Sequence, residues 1–386
     1  MEICDKNYCA GCFACYNKCA VNAITMQEDT IGHIYPIVNE SLCVSCGSCK
    51  KVCPVNISIN QIEPQKVYAS WVLDSEEHRK SSSGGLGHFF AQKIIEMDGV
   101  VYGCSSLINE KKEISHVRCD SLDRLEQLRG SKYVQSFIGD TYKQAKKDLI
   151  ENKQVLFIGT PCQIAGLKGY LKKDYSNLLT IDLICHGVPP QKLFFEHLKD
   201  LQMEDAEYVS FRDNVSYVMS LKSAVKEYKV KEWDDAYYVG FGKALFYRDS
   251  CYQCKYATKE RVGDITLGDF WGLGKDVAFD VTQKTTGFGT SVCMINTSAG
   301  RTFFERNRQA LFTEERTLEE AVKGNFNLRN PSVPHKNRAQ FVKVYKKKGF
   351  KKAAKFALRY NLLKYKILKV VNKSPALTKI FNRLYK

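Results

Sequence analysis

The sequence lacks the long apolar runs that cross a bilayer, and its first residues lack the basic start and apolar stretch of a secretory signal. We therefore expect a cytoplasmic protein. In that compartment the 16 cysteines favour metal binding over disulfides, because cytosolic thiols are kept reduced. At 386 residues and 44% hydrophobic composition, the chain has room for two or three domains with a sizeable core.

The end of the chain lacks acidic side chains. Residues 336–386 contain 17 lysines and arginines and no aspartate or glutamate. The remaining chain has 41 basic and 42 acidic residues, so the formal net charge of +16 comes from this tail. The charge therefore gives no reason to expect that the core binds nucleic acid.

From Ala353 onward the tail can be laid on a helix with an apolar and a basic side. The apolar side holds Ala353, Ala357, Tyr360, Ile367 and Val371, and the basic side holds Lys355, Arg359, Lys366, Lys369 and Lys373. Lys364 interrupts the apolar side. A basic amphipathic helix suits an anionic membrane surface or an acidic partner protein. A solvated helix that packs on its own domain has the same pattern, so all three interpretations stay open.

Two cysteine runs near the start share the pattern C-x2-C-x2-C-x3-C and are offset by 34 residues. The runs are Cys9, Cys12, Cys15 and Cys19, then Cys43, Cys46, Cys49 and Cys53. This spacing is typical of bacterial two-cluster ferredoxins, in which the fourth cysteine of each run ligates the other 4Fe-4S cluster. We therefore assign Cys53 to the cluster of the first run and Cys19 to that of the second. Zinc sites usually show two C-x2-C pairs with a longer gap, and we expect Cys4 to be a spare thiol.

The rest of the chain favours an α/β unit behind the ferredoxin-like one. A strand over 154–158 leads to Cys162 and a helix, and a strand over 178–184 leads to Cys185 and a helix. Strand–loop–helix order predicts a largely parallel core, with ligands at the carboxyl ends of the strands. Residues 207–233 have the alternation of β-hairpins.

The predicted fold class is an α+β ferredoxin-like domain, a mixed α/β domain and a basic helical tail. The predicted limits are 1–62 for the two-cluster domain, 66–330 for the α/β domain and 336–386 for the tail.

A second group of cysteines comes from separate loops. Cys251 and Cys254 form a C-x2-C pair, and Cys162 and Cys185 supply two further thiols near the expected crevice. From spacing alone, a third cluster, a zinc site and no joint site are equally consistent with this group.

Several blocks, in one order from about residue 66 to 310, resemble the beta subunits of coenzyme F420 (deazaflavin) hydrogenases and dehydrogenases. The blocks are Ser82-Ser83-Gly84-Gly85, Gly130-Ser131-Lys132-Tyr133, Gly159-Thr160-Pro161-Cys162-Gln163, Ile184-Cys185-His186-Gly187, Cys251-Tyr252-Gln253-Cys254 and residues 263–272. The resemblance implies an iron–sulfur flavoprotein with a third 4Fe-4S cluster at Cys162, Cys185, Cys251 and Cys254, close to an FAD.

The resemblance also implies which residues contact the flavin. They are Ser82, Ser83, Gly84, Gly85, Ser131, Lys132, Tyr133, Thr160 and Gln163. Gly84 and Gly85 would leave backbone N–H groups free for the diphosphate at a helix start, whereas turns and helix caps explain the same residues without a ligand. His186 is the candidate proton donor, with a structural role as the simpler interpretation. Asp264 and Asp269 suit either flavin binding or turn caps, and we favour turn caps. Trp271 suits the core better than a stacking role.

The resulting hypothesis is an oxidoreductase that passes electrons from a carrier such as ferredoxin through the clusters and FAD to, or from, an organic substrate. The junction between one-electron clusters and a two-electron substrate is the reason to expect a flavin. The alternative is a subunit that relays electrons to a partner enzyme and has no substrate of its own. The sequence leaves open the substrate, the direction of flow and the use of coenzyme F420.

Overall fold

The computed structural model describes residues 1–213, 216–279 and 288–371. The strands in these residues are β1 (Ile24–Glu28), β2 (Ile34–Val38), β3 (Lys66–Val72), β4 (Val100–Ile108), β5 (Ile114–Cys119), β6 (Val155–Gly159), β7 (Leu178–Leu183), β8 (Tyr208–Ser210), β9 (Val218–Lys222), β10 (Glu227–Lys231), β11 (Ile265–Asp269), β12 (Ser291–Ile295) and β13 (Leu311–Arg316).

The helices in the same residues follow the strands through most of the chain. They are α1 (Ala14–Lys18), α2 (Ser75–Arg79), α3 (Leu86–Ile95), α4 (Leu122–Leu125), α5 (Thr141–Ile150), α6 (Pro161–Leu171), α7 (Gln191–Asp200), α8 (Ala236–Gly242), α9 (Ser298–Asn307), α10 (Leu318–Gly324), α11 (Arg338–Ala357) and α12 (Arg359–Val371). Short 3-10 turns lie between them, including Lys50–Val52 and Asp249–Gln253.

The N-terminal unit is small and is built around its cysteine loops. Strands β1 and β2 form an antiparallel hairpin in which Ile24 pairs with Val38. Helix α1 begins inside the first cysteine run, and the 3-10 turn Lys50–Val52 lies inside the second run. Little regular structure is needed here, because the loops themselves carry the thiols.

The second unit contains a mixed sheet of eleven strands in the order β10-β9-β8-β4-β6-β7-β11-β12-β3-β13, with β5 paired to β4. Only β4–β6, β6–β7 and β7–β11 run parallel, and the other pairs are antiparallel. The prediction of a mixed α/β fold is confirmed, whereas the prediction of a largely parallel core is wrong. The antiparallel strands β3, β12 and β13 come from distant segments, and local strand–helix order carries no signal of their pairing.

The parallel segment around β6 and β7 is the part of the fold that positions the candidate site. Both strands end at the same edge, as parallel neighbours must, and α6 and α7 follow them. The predicted β-hairpin material over 207–233 is also present, because β8, β9 and β10 pair antiparallel in sequence.

Helix α6 of the second unit packs directly against the cysteine loops of the N-terminal unit. A Cβ at Gly166 would lie 2.9 Å from Cys12 Cβ, and a Cβ at Gly169 would lie 2.5 Å from the Val52 carbonyl oxygen. Both glycines therefore allow the N-terminal cysteine loops to lie directly on α6. A backbone hydrogen bond between Ile62 and Arg261, with an N···O distance of 2.8 Å, ties the units a second time.

The tail is helical but does not have the single apolar face that the sequence predicted. Ala353 and Ala357 are buried against the body of the protein, whereas Tyr360 and Ile367 are exposed. Lys373 lies outside the described residues. No helix in the described ranges is both long enough and apolar enough to span a membrane.

Candidate functional site

The first group of thiols, which we call the inner set, consists of Cys9, Cys12, Cys15 and Cys53. Cys9, Cys15 and Cys53 are buried, and the four side chains are close enough for electrostatic interaction with one another. The structure thus brings Cys53 to the first run, as the ferredoxin spacing predicts.

Cys4 lies against the inner set, although sequence analysis treated it as a spare thiol. Its side chain packs against the buried cluster that contains Cys15 and Cys53. The neighbouring Cys4 side chain lowers the pKa of the Cys9 thiol, and the Arg248 guanidinium also lowers it. Cys4 therefore belongs to the immediate surroundings of the inner set.

The second group, which we call the outer set, consists of Cys43, Cys46, Cys49 and Cys19. Burial raises the pKa of the Cys49 thiol, and its neighbours Cys46 and Cys19 raise it further. Cys46 is exposed, and Cys43 and Cys19 are partly exposed. Cys19 therefore lies with the second run, so the exchange of fourth cysteines that the spacing predicts has its geometric counterpart here.

The third group, which we call the third set, consists of Cys162, Cys185, Cys251 and Cys254. Cys162 lies in the first turn of α6, Cys185 follows β7, and the C-x2-C pair spans the end of the 3-10 turn Asp249–Gln253. Burial raises the pKa of Cys251 to about 12 and that of Cys254 to about 11, and the neighbouring thiols add to both shifts. The structure therefore gathers the four scattered cysteines into one group.

These thiols fit the donor set of iron–sulfur clusters, which are held by cysteine thiolates. In the ranges that the structure describes, no three His, Cys, Asp or Glu side chains converge as the ligands of a single metal ion do. A cubane cluster has a different requirement, because its four thiolates bind four separate irons. All 16 cysteines are free thiols.

A cavity of about 450 Å³, which we call the thiol cavity, separates the inner set from the third set. All four inner thiols line it, as do Cys162, Cys251 and Cys254 of the third set. None of the outer thiols is among its lining residues. The inner and third sets therefore face each other across one space.

A second cavity of about 630 Å³, which we call the large cavity, lies on the other side of the third set. Cys185 lines this cavity and not the thiol cavity. The third set therefore forms the wall between the two cavities.

Most of the predicted flavin contacts line the large cavity. They are Ser82, Ser83, Gly85, Ser131, Lys132, Tyr133, Thr160 and Gln163. They come from the loop before α3, the loop before α5 and the start of α6, so three separate segments meet at one surface.

Gly84 is the exception and corrects the sequence prediction. Its N–H donates to Ser291 Oγ at 2.9 Å, so it is not free for a ligand. A Cβ at this position would lie 2.2 Å from the Ser70 carbonyl oxygen. Gly84 is therefore required because the loop packs closely against β3 and β12.

Lys132 is partly buried at the cavity wall. Its ammonium group donates to the carbonyl oxygens of Leu128, Arg129 and Gly130 at 3.0, 2.9 and 3.1 Å. Burial lowers the pKa of Lys132 to about 8. The lysine thus closes the Gly130 turn and also places a titratable positive charge beside the cavity.

Thr160 and Gln163 cap the start of α6 as well as lining the cavity. The Thr160 N–H donates to Gln163 Oε1 at 2.9 Å, and Gln163 Nε2 donates to Ser136 Oγ at 3.0 Å. Thr160 Oγ1 lies 3.2 Å from Cys162 Sγ. These side chains therefore fix the position of the Cys162 thiol at the helix start.

His186 and three further polar or aromatic residues line the large cavity. His186 follows Cys185 and is exposed, and partial desolvation by the surrounding side chains lowers the pKa of its imidazole. Asp269 pairs with Arg212 at 3.0 Å. Trp271 is 40% exposed and stacks on Tyr217, so its predicted core position is wrong.

The other acidic residue that sequence analysis considered has a structural role. Asp264 accepts hydrogen bonds from the Thr180 N–H and hydroxyl at 2.8 and 2.6 Å, and from the Thr297 hydroxyl at 2.7 Å. These bonds join β7, β11 and the start of α9. The expectation that Asp264 holds turns is thereby supported.

Comparison with known proteins identifies two segments. Residues 152–321 match the family that covers the C terminus of the coenzyme F420 hydrogenase/dehydrogenase beta subunit. Residues 8–57 match the family described as 4Fe-4S dicluster domain.

Two curated relatives come from methanogenic archaea. The F subunit of the F(420)H(2) dehydrogenase of Methanosarcina mazei is 21% identical over 289 residues, which cover 70% of this chain and 79% of that protein. The coenzyme F420-dependent sulfite reductase of Methanocaldococcus jannaschii is 27% identical over 249 residues, which cover 64% of this chain and 37% of that protein.

A solved structure of the F420-reducing [NiFe] hydrogenase complex from Methanosarcina barkeri aligns with a TM-score of 0.45 and 14% identity. The alignment covers 81% of this chain and 93% of the other. On the sequence matches, the protein is an iron–sulfur electron-transfer protein in which residues 8–57 match the 4Fe-4S dicluster family and residues 152–321 match the family that covers the C terminus of the coenzyme F420 hydrogenase/dehydrogenase beta subunit.

Proposed function

We propose that the protein is an iron–sulfur flavoprotein oxidoreductase. The inner and outer sets would each ligate one 4Fe-4S cluster, the third set would ligate a third, and the large cavity would hold FAD. When bound, the clusters supply one-electron transfer and the flavin supplies the exchange between one and two electrons that an organic substrate needs.

The observation that carries this proposal is the position of the third set between two cavities. Three of its thiols face the inner set across the thiol cavity, and Cys185 faces the large cavity. A cluster at the third set would therefore contact both spaces. This arrangement supports a route from the outer set through the inner and third sets to the large cavity.

The lining of the large cavity fits a dinucleotide cofactor. Its volume lies in the range of small-molecule pockets. Gly85, Leu86 and Gly87 line it at the start of α3, where the first N–H groups of a helix have no partner within the helix. A diphosphate is favoured at such a position, and Lys132 adds positive charge to the same cavity.

The direct test of the flavin site is a titration of anaerobically purified, flavin-depleted protein with FAD. We expect one equivalent to bind, with quenching of the flavin fluorescence. Chemical reduction of the clusters should then bleach the bound flavin. Clusters that reduce while added FAD stays free and oxidised would contradict the flavin proposal and leave the cluster proposal intact.

A second candidate function is a relay that delivers electrons to a partner enzyme without its own substrate. The exposed position of Cys46 and the partly exposed position of Cys43 favour electron exchange with a protein partner such as ferredoxin. The relay predicts that a small-molecule oxidant accepts electrons from the reduced protein only when the partner enzyme is added. Steady oxidation of the reduced flavin by an organic acceptor alone would exclude the relay.

We also propose that the tail attaches the protein to an anionic membrane surface. Phe356, Tyr360, Leu363 and Ile367 are all exposed and are spaced so that they form one stripe of α11 and α12. Exposed cations flank it, and residues 321–386 contain no acid. A narrow apolar stripe between basic side chains is typical of helices that lie in a membrane interface.

Cosedimentation with vesicles tests the tail. The full chain is expected to bind vesicles that contain phosphatidylglycerol and not vesicles of phosphatidylcholine alone, and binding should weaken in high salt. Leu363→Ser with Ile367→Ser should abolish binding, whereas Val225→Ser, at an exposed position elsewhere, should not. Equal binding to both vesicle types, or none, would contradict membrane attachment.

A further inference from the structure

Arg248 is an arginine with no exposed surface, located three residues before Cys251. It lines the thiol cavity between the inner and third sets. None of the carboxylates in the described residues forms an ion pair with it, although the other fully buried arginine, Arg261, pairs with Asp182 at 2.7 Å. A buried cation without a carboxylate is costly unless other groups compensate its charge.

The hydrogen bonds of Arg248 go to neutral oxygens. They run from Nε to Gln135 Oε1 at 3.2 Å, from one terminal nitrogen to the Cys9 carbonyl at 3.1 Å, and from the other to the Ile34 carbonyl at 2.5 Å. The guanidinium also lies over the Tyr35 ring, 4.5 Å from its centroid. These contacts hold the group in place and leave its charge uncompensated.

The loop of the inner set is shaped to admit this side chain. Gly11 has a φ of +61°, and a Cβ there would lie 2.6 Å from an Arg248 terminal nitrogen. Gln135 Nε2 donates to the Ala10 carbonyl at 3.0 Å, so it joins the same loop to Arg248. The first cysteine run is thus folded around the guanidinium.

Thiols of both sets line the same cavity as Arg248, and as cluster thiolates they could compensate its charge. Arg248 donates to the Cys9 carbonyl oxygen and lines the same cavity as the thiols of Cys9, Cys162 and Cys251. It therefore interacts with the inner set and the third set at once.

We propose that Arg248 is a positioning residue whose buried charge raises the reduction potentials of the inner and third clusters relative to the outer one. This inference rests on the proposed function. A cluster with four thiolates gains negative charge on reduction, so a fixed positive charge nearby favours the reduced form. Electrons that enter at the outer set would then be drawn inward.

The test is a potentiometric titration of the full chain followed by electron paramagnetic resonance. Arg248→Gln should make reduction of the inner cluster about tenfold less favourable, which is a fall of about 59 mV for one electron. The reduction potential of the third cluster should also fall, and that of the outer cluster should stay unchanged. Potentials that do not move would overturn the inference.

Lys6→Gln is the matched control. Lys6 Nζ lies 4.6 Å from the centroid of the same Tyr35 ring, but the residue is exposed. Water screens its charge, so the control should shift the potentials much less than Arg248→Gln. An equal shift in both variants would contradict a special role of the buried charge.

A further variant covers the case in which Arg248→Gln does not assemble its clusters. Gln135→Glu keeps the arginine and places a carboxylate beside it, so the inner potential should again fall. An unchanged inner potential in this variant would count against the inference. Wild-type protein without iron after anaerobic purification would instead contradict the proposed function, so the two failures are distinguishable.

Discussion

The inner and outer sets have the same sequence pattern but opposite surroundings. The inner thiols line a cavity and face the third set across it, whereas Cys46 of the outer set is exposed and Cys43 is partly exposed. Both runs touch α6, because Gly166 admits Cys12 of the first run and Gly169 admits Val52 of the second run beside Cys53. Two copies of one motif thus acquire different surroundings through packing outside the motif.

The two cavities also distinguish the inner set from the outer set. The third set touches the space of the inner set and the space of the large cavity. The outer set has no lining residue in either cavity. It is therefore suited to exchange electrons with another molecule, and the inner set to pass them on.

The largest expected effect comes from removing two thiols of the third set, which lies across the thiol cavity from the inner set. The double variant Cys251→Ala with Cys254→Ala should lower the iron content from about twelve to about eight atoms per chain. Flavin reduction by a reduced carrier protein should then nearly cease. Cys293→Ala, at a buried cysteine of β12, is the control and should keep all the iron.

The next effect distinguishes the two motif copies directly. Cys46→Ala should slow reduction by a carrier protein by roughly 100-fold while dithionite still reduces the inner cluster and the flavin. In Cys12→Ala the carrier should still reduce the outer cluster, but the third cluster and the flavin should stay oxidised. Freeze-quench electron paramagnetic resonance shows which cluster is reduced first, and identical behaviour of both variants would contradict the distinction.

A smaller effect concerns the affinity for the flavin and its pH dependence. Lys132 has a pKa of about 8 in the free protein, and a bound diphosphate would raise that pKa, so binding takes up a proton. FAD affinity should therefore be constant below about pH 8 and fall as the pH rises above it. Lys132→Met should weaken binding by roughly tenfold below pH 8 and remove the pH dependence, as fluorescence titrations can show.

The smallest effect concerns the surface around the outer set. Val44 and Leu42 flank Cys43 and are 65% and 52% exposed. Val44→Glu should slow reduction by an acidic carrier protein by roughly threefold, through like-charge repulsion, and should not change reduction by dithionite. Val225→Glu, at a position that is 79% exposed on a distant turn, should leave both rates unchanged.

The inner and outer sets were predictable because their information is local, whereas spacing alone left the third set open and only the family resemblance implied it. Three thiols in one loop reach one cluster at fixed spacing, and the strand–helix order around β6 and β7 predicted the edge where Cys162 and Cys185 meet. The antiparallel pairing of β3 with β12 and β13 was not predictable, because β3 is far from both in the sequence.

Two residues at the site also depend on contacts between distant segments, which the sequence does not reveal. Gly84 looked like a ligand-binding glycine, but its N–H is used by Ser291 Oγ, and only the packing of β3 and β12 reveals this. Arg248 carried no signal in the sequence beyond its position three residues before Cys251, because its burial depends on the contact between the two units.

The iron, sulfide and flavin contents of anaerobically purified protein test the account most directly. We predict about twelve irons, about twelve sulfides and one FAD per chain, as three 4Fe-4S clusters and one flavin require. The account would be contradicted by about eight irons per chain together with FAD that neither copurifies with the protein nor binds when it is added. The third set would then be no cluster site, and the wall between the two cavities would carry no electrons.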